Sequence, residues 1–187
     1  MPDHRTRRVL AAQNISRNCL VCGTDNPYGL QGRFYELAAQ DEAGDGSEGT
    51  RASPAAGREL LGVFAPRDEH QSYPGRLHGG VVAAVLDETI GRAILLLHGD
   101  EWGVTAEITV RFLKPLPLDE EIRCVGRITR DARRLFEGTG EIVLADGTVA
   151  AKGKGRYVKM PIGTIADGFD GSEWFPDARE RPERLDL

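Results

Sequence analysis

The sequence has few cysteines and no long uninterrupted apolar run. Its three cysteines are an odd number, which argues against a disulfide framework and favours a reducing, cytoplasmic location. The longest apolar stretch, Val81–Leu97, contains Asp87, Glu88 and Arg92, so no membrane span is expected. Residues 1–10 lack the apolar core of a secretory signal, and we therefore expect no such signal.

An excess of positive charge is also absent. Lys and Arg number 24 and Asp and Glu number 29, which gives a formal net charge of −5. Non-specific nucleic-acid binding needs a basic surface, so no nucleic-acid partner is expected. The length of 187 residues, with 40% hydrophobic and 28% charged residues, is typical of one globular domain with a sizeable core.

The chain divides into three predicted parts. Residues 1–33 form an arm that contains Cys19 and Cys22. Residues 34–160 form the main domain, in which residues 40–57 are small and polar and are expected to be a mobile loop. Residues 161–187 form a polar tail, which we expect to dock through its two neighbouring aromatic rings, Trp174 and Phe175.

One long helix and a series of strands are predicted in the main domain. The helix runs from His78 to about His98 and is apolar over most of its circumference, as in a helix wrapped by other elements. The alternation of apolar and polar residues predicts strands over Gln31–Ala38, Glu59–Ala65, Gly103–Leu113, Glu121–Thr129, Leu135–Leu144 and Thr148–Tyr157, with a hairpin turn at Asp146-Gly147. These elements indicate an α+β fold, an antiparallel sheet packed on one helix.

Two neighbouring acids on this helix face different surroundings. Glu88 has Arg92 four residues later, which predicts an exposed ion pair. Asp87 has Ala84 and Gly91 among the residues three and four positions away, and a carboxylate in such a surrounding is desolvated. Such a site marks chemistry more often than stability, although an Asp hydrogen-bonded elsewhere in the fold is the alternative.

The segment His78-Gly79-Gly80 precedes that acid. Free backbone N–H groups at a helix N-terminus favour negative charge, and the glycines let a carbonyl come close to them, as in an oxyanion hole. Asp87 lies about 13–14 Å further along a straight helix. A bound substrate could span this gap, or a second subunit could close it.

The combined pattern resembles the hot-dog-fold acyl-CoA thioesterases, particularly the phenylacetate-operon type. The residues that carry the resemblance are Tyr73-Pro74-Gly75-Arg76-Leu77-His78-Gly79-Gly80-Val81-Val82, Leu86-Asp87-Glu88 and the segment Gly103–Pro115. The segments Cys19-Leu20-Val21-Cys22-Gly23 and Asn26-Pro27-Tyr28-Gly29-Leu30 are similar to the N-terminal element of one branch of that family.

The resemblance implies an antiparallel sheet wrapped around one helix, in a homodimer or a dimer of dimers whose sites span the interface. It implies that Asp87 acts as general base or nucleophile and that the Gly79 N–H polarises the thioester carbonyl. It further implies that Thr105 helps to hold the attacking water and that His78, beside Gly80, holds substrate or loop geometry. The alternative for His78 is a helix-capping side chain.

One position departs from the family pattern. Many relatives have Asn or Gln six residues before the His, where the amide contacts the thioester or the water. Here that residue is Ser72, with Gln71 beside it. Either Ser72 makes a weaker version of the contact or a shift of the loop brings Gln71 to the same place.

Two further groups of residues have open interpretations. Cys19 and Cys22 have the spacing of a metal knuckle, but a structural zinc needs four ligands. We therefore expect no metal, and small buried thiols packed across the mouth of the cleft. Lys152, Lys154 and Arg156 alternate along one strand and either meet the phosphates of CoA or form a solvated strand face.

The sequence thus predicts an enzyme that hydrolyses an acyl-CoA thioester to a carboxylic acid and CoA without a cofactor. The alternatives are a non-catalytic acyl-CoA-binding module of the same fold and a hot-dog dehydratase or hydratase. The second is disfavoured because Ser72 stands where those enzymes have His. A zinc-stapled interaction protein is the remaining alternative.

Overall fold

The computed structural model describes residues 6–39 and 57–187. Ten strands are found there: β1 Thr6–Ala12, β2 Ile15–Ser16, β3 Arg33–Leu37, β4 Glu59–Phe64, β5 Trp102–Phe112, β6 Ile122–Asp131, β7 Leu135–Val143, β8 Val149–Met160, β9 Trp174–Phe175 and β10 Arg184–Asp186. The helices are α1 Gly79–Arg92 and the four-residue α2 Ile162–Ile165, with 3-10 turns at Asp68–His70, Ala93–Leu96 and Gly171–Glu173. The predicted loop over residues 40–57 lies outside the described residues, apart from Gly57.

Eight strands form one sheet in the order β10-β1-β3-β4-β6-β7-β8-β5, and every neighbouring pair is antiparallel. Helix α1 packs across the middle of this sheet, on β4 to β8. This is the hot-dog fold, and it confirms the predicted α+β class. The six predicted strands are all present within a few residues of their expected bounds.

The close fit between α1 and the sheet depends on glycine. A Cβ atom at Gly126 of β6 would lie 2.7 Å from the backbone oxygen of Thr89, and one at Gly140 of β7 would lie 2.9 Å from Ile90. Both distances are shorter than a real Cβ contact, so only glycine lets the helix approach this closely. Val85, Leu86 and Ile90 of the helix are consequently fully buried against the sheet.

Both chain ends add strands that the sequence analysis did not predict. Strand β1 pairs with β3, and β10 pairs with β1 at the edge of the sheet. A second apolar cluster, which includes Tyr35, Leu61 and Val125, forms on the sheet face away from the main core. Strands β1 and β10 join residues of the arm, the tail and the main domain in one sheet. The three-part division of the chain stays a prediction.

The C-terminal tail docks as expected. Strand β9 pairs with β2, and the Trp174 ring lies 4.7 Å from that of Trp102. Phe175 packs against the main core. The predicted turn at Asp146-Gly147 is also confirmed, because Gly147 has a φ of 81° and its N–H bonds to the Leu144 carbonyl at 2.9 Å.

Among the described residues, no helix has both the length and the apolarity that a membrane crossing requires.

Candidate active site

Asp87 lies on α1 where the helix faces β5 and β8. The Thr105 hydroxyl donates a hydrogen bond to Oδ1 of Asp87 at 2.8 Å, and the Tyr157 hydroxyl donates to the same oxygen at 3.1 Å. Tyr157 is buried, and its ring is stacked on Phe136 with centroids 4.8 Å apart. One carboxylate oxygen is therefore fixed by two neutral donors. No partner for Oδ2 is found within residues 6–39 and 57–187, so that oxygen is available to a water molecule or a substrate.

The surroundings of Asp87 make it a stronger base than an exposed aspartate. Burial raises the pKa of Asp87, and the hydrogen bonds from Thr105 and Tyr157 offset this effect only in part. The negative charge of Glu88 raises the pKa of Asp87 further. A raised pKa brings a carboxylate closer to the range in which general bases are most effective at neutral pH. The expectation of a desolvated acid is correct, but the hydrogen-bond partners of Asp87 were not foreseen.

A β-bulge brings Thr105 to this carboxylate. The alternation along β5 predicts that Thr105 and Glu107 share one face of the strand. The register with β8 shifts between these two residues, with Thr105 opposite Tyr157 and Glu107 opposite Arg156. The extra residue, Ala106, lets Thr105 turn towards α1 while Glu107 points outwards. A bulge changes the face of neighbouring side chains in this way, and sequence alternation cannot show it.

At the other end of α1, one backbone donor is free. His78 is the N-cap residue, and its Nδ1 accepts a hydrogen bond from the Gly80 N–H at 2.9 Å. The His78 side chain is thus a helix cap, the alternative considered for it above. The Gly80 N–H is used by this cap. The Gly79 N–H has no partner in the part of the chain that the structure describes, as expected for the first residue of a helix.

One chain does not bring Gly79 and Asp87 together. Asp87 comes eight residues after Gly79, which is about 12 Å further along the helix axis. A cavity of about 120 Å³ adjoins Asp87 at its own end of the helix. Its lining combines acidic, aromatic and aliphatic groups: Asp87, Glu88, Gly91, Arg92, Ile94, Leu95, Glu101, Trp102, Gly103, Thr105 and Tyr157.

Ser72 and Gln71 lie in the exposed loop that precedes the helix. The Ser72 N–H bonds to the Arg76 carbonyl at 2.9 Å, and Oε1 of Gln71 accepts a hydrogen bond from the Gly75 N–H at 2.9 Å. Within the described residues, neither side chain is recorded in contact with Asp87. The side-chain amide oxygen of Gln71 thus holds its own loop. A substrate role for either residue stays a prediction.

The basic residues of β8 lie on the outer face of the sheet. Tyr157 and Gly153 of this strand face α1, and the alternate residues Lys152, Lys154 and Arg156 are exposed on the other side. Lys152 forms an ion pair with Glu141 at 2.6 Å, and Arg156 forms one with Glu107 at 2.9 Å. These contacts are those of a solvated strand face. The structure does not bring the three residues to Asp87, and their contact with CoA phosphates stays a prediction.

The predicted exposed ion pair between Glu88 and Arg92 is wrong in one respect. The pair forms, with Nε of Arg92 2.7 Å from Oε1 of Glu88, but the Arg92 side chain is only 7% exposed. The arm and the tail cover it: Arg92 also donates to Sγ of Cys22 at 3.0 Å, and its guanidinium lies over the Trp174 ring at 4.5 Å. Helical spacing predicts the pairing but contains no information about segments that pack from elsewhere.

Three residues in or near the site are not predicted by the sequence analysis. Tyr157 is predicted only as the end of a strand, although its position on the face opposite Lys154 and Arg156 is a signal that it faces the helix. Arg92 is predicted to lie on the surface. His70 is a buried anchor of the loop before α1: its Nδ1 accepts from the Arg67 N–H and its Nε2 donates to the Tyr28 carbonyl, both at 2.9 Å. No sequence pattern distinguishes this histidine.

The sequence is similar to those of known proteins. Residues 74–151 match the family model of the Thioesterase superfamily. Acyl-coenzyme A thioesterase THEM4 of Xenopus laevis is 33% identical over 78 residues, which are 42% of this chain but only 34% of that protein. Acyl-coenzyme A thioesterase 13 of Homo sapiens is 26% identical over 106 residues, which are 56% of this chain and 75% of that protein.

Solved structures agree with the fold. The crystal structure of a thioesterase superfamily protein, 26% identical, covers 77% of this chain and 61% of its own, with a TM-score of 0.60. A hypothetical thioesterase of Streptococcus pneumoniae, solved with coenzyme A, is 19% identical and covers 55% of this chain and 82% of its own, with a TM-score of 0.51. The Escherichia coli PaaI protein of the phenylacetic acid degradation operon is 15% identical, covering 55% and 72%, with a TM-score of 0.51. The last two likenesses show the fold alone. The Cys19–Gly23 element lies outside the family match, so the branch to which it points stays a prediction.

Proposed function

We propose that this chain, with its hot-dog fold and its thioesterase match over residues 74–151, hydrolyses acyl-CoA thioesters to a carboxylic acid and CoA. The observation that carries the proposal is the Asp87 carboxylate. It is held by Thr105 and Tyr157, has a raised pKa and has one oxygen free beside a cavity. The sequence relatives are named acyl-coenzyme A thioesterases, and one protein of this fold was solved with coenzyme A, which supports CoA as the carrier.

In the proposed reaction, Asp87 uses its free oxygen to bring about attack on the thioester carbon. It either takes a proton from a water whose oxygen adds to that carbon, or it attacks the carbon directly to form an anhydride that water then hydrolyses. In both routes the C–S bond breaks, and CoA leaves as the thiolate and takes up a proton. Thr105 keeps the carboxylate in place and helps to orient the water. The Gly79 N–H donates to the carbonyl oxygen as negative charge develops on it, with the dipole of α1 adding to the effect.

The proposed site contains residues of two subunits. Strand β5 is the last strand of the sheet that residues 6–39 and 57–187 form, and within these residues one of its edges is unpaired. Thr105 lies near its start beside Asp87. Phe112 lies at its end, where its ring would be 3.6 Å from a Cβ atom at Gly79, and it is 55% exposed. Antiparallel pairing of two β5 strands about a two-fold axis near their middle would place Phe112 and Gly79 of one subunit beside Thr105 and Asp87 of the other.

Thioester hydrolysis across a panel of acyl-CoA substrates tests the proposal. The panel runs from short aliphatic through aromatic to long-chain acyl groups, and free thiol release is followed for wild type, Asp87→Asn and the control Glu137→Gln. We expect Asp87→Asn to reduce kcat by about 10²- to 10⁴-fold on the best substrate, the range for a lost general base. Glu137→Gln removes an acid of β7 that pairs with Arg130, away from the β5 edge, and is expected to retain activity.

Each result has a definite meaning. If the wild-type protein binds acyl-CoA but hydrolyses no member of the panel, it is a binding module and not a thioesterase. Asp87→Asn that retains full activity would show that the site is elsewhere, even if thioester hydrolysis is real.

A further inference from the structure

A pair of thiols lies behind the Asp87 cavity and has no part in the proposed hydrolysis. Cys19 and Cys22 sit in the turn of the N-terminal arm that packs on α1. Their Sγ atoms and a carboxylate oxygen of Glu88 all lie within 4.8 Å of one another. Cys22 is 1% exposed, whereas Cys19 is half-buried. No disulfide joins them in the structure.

The charge at this cluster favours an anionic sulfur over a bound metal. Arg92 donates from one nitrogen to Sγ of Cys22 at 3.0 Å and from another to Glu88 at 2.7 Å. Its guanidinium is clamped between the rings of Phe34 and Trp174, at 4.2 and 4.5 Å from their centroids. A metal ion held by the two sulfurs and Glu88 would lie against this fixed buried cation. The same cation stabilises a thiolate at Cys22.

The two thiols have opposite tendencies to ionise. The hydrogen bond that Cys19 donates to Cys22 lowers the pKa of Cys22 to about 6, together with the positive charge of Arg92 and against the effect of burial. The same hydrogen bond and burial raise the pKa of Cys19. The charged and polar groups that face Cys22 are thus Cys19, Arg92, Glu88 and the Ser16 hydroxyl, 3.8 Å away. A thiolate beside a protonated thiol is the arrangement of an attacking and a resolving cysteine.

We propose that Cys19 and Cys22 form a peroxide-reactive dithiol that closes reversibly to a disulfide. The Cys22 thiolate attacks one oxygen of hydrogen peroxide, the O–O bond breaks, and a sulfenic acid forms with release of hydroxide. The Cys19 thiol then attacks the Cys22 sulfur; the S–O bond breaks, and the sulfenic oxygen leaves as water with the thiol proton. Both sulfurs are oxidised, peroxide is reduced, and an external thiol restores the pair.

The size of the oxidant is limited by the burial of the pair. Cys22 is 1% exposed and Cys19 is half-buried, so we expect a small oxidant such as hydrogen peroxide to react and a bulky reagent to be excluded. This chemistry is independent of thioester hydrolysis, and each proposal can fail without the other.

The test uses the full-length reduced protein treated with hydrogen peroxide, denatured, alkylated and mapped by mass spectrometry. We expect a Cys19–Cys22 disulfide that dithiothreitol reverses. Cys124 should be oxidised at a rate at least about tenfold lower, because burial raises the pKa of its thiol to about 12. The rate should reach its plateau by about pH 7, since a thiol of pKa about 6 is then mostly thiolate, whereas an ordinary cysteine continues to gain rate beyond pH 8.

The variant Cys19→Ser separates the two steps. It lacks the resolving thiol, so peroxide should leave Cys22 as a sulfenic acid that dimedone traps. Complete alkylation of both thiols in wild type after peroxide would refute the proposal, and so would oxidation of Cys124 at the same rate. Stoichiometric zinc in the purified protein that protects both thiols would also overturn it.

Discussion

The N–H of Gly79, the proposed donor to the thioester carbonyl, can be removed by a single substitution. Gly79 is the first residue of α1, a position that accepts proline because its N–H has no intrahelical partner. The preceding residue, His78, has ψ of 134°, the extended conformation that proline requires before it. A Cβ atom at this position would lie 3.6 Å from the Phe112 ring, an ordinary van der Waals contact. Gly79→Pro therefore removes the donor and keeps the helix, and Gly79→Ala is its matched control.

We expect Gly79→Pro to reduce kcat about 10²- to 10³-fold, the usual effect of losing one oxyanion donor, with little change in thermal stability. Gly79→Ala keeps the N–H and should remain within about tenfold of wild type. Steady-state thiol release gives kcat, and thermal unfolding checks the fold. Equal losses in the two variants would refute the donor role, because they would show that the added bulk alone matters.

The same variant tests whether one site contains residues of two subunits. A mixed dimer of Asp87→Asn and Gly79→Pro chains would contain one doubly defective site and one intact site. Random pairing of equal amounts should then restore about a quarter of wild-type activity, because half of the dimers are mixed and each has one intact site. Co-expression with two different affinity tags isolates the mixed species. No recovery in the isolated mixed dimer would place both residues in the same subunit's site.

Two further predictions concern the carboxylate itself. Thr105→Val removes a hydrogen bond that lowers the pKa of Asp87, so the acidic limb of kcat/KM should move to higher pH. Thr109→Val, on the outer face of the same strand, should leave that limb unchanged, and identical profiles for the two variants would contradict the contact. Because burial raises the pKa of Asp87, its charged form destabilises the fold; this cost builds up as the pH rises from the ordinary aspartate pKa to the raised one, and it is fully present above that. Asp87→Asn should therefore raise Tm at pH 7 to 8, and the gain should shrink at low pH; a variant that is less stable at neutral pH would count against a desolvated carboxylate.

The site shows where residue patterns are informative. The spacing along one helix placed Asp87 in a desolvated position and His78 at the helix start, because both properties depend on the periodicity of a single element. The cap formed by His78, which uses the Gly80 N–H, follows from local backbone geometry. The partners Thr105 and Tyr157 come from two other strands, and their approach depends on how those strands pack on the helix.

Residue patterns are enough to predict the local features of this protein: one apolar helix, the central strands, the turn at Asp146-Gly147 and the desolvated position of Asp87. These follow from periodicity and turn chemistry over a few residues. That Thr105 faces the helix is visible only in the folded chain, because a β-bulge turns its side chain to the other face of the strand without changing the residue pattern. The burial of Arg92 is also a property of the folded chain, since the arm with Cys22 and the tail with Trp174 pack on it from distant parts of the sequence. Contacts between distant segments depend on the packing of the whole chain, and no local pattern encodes them.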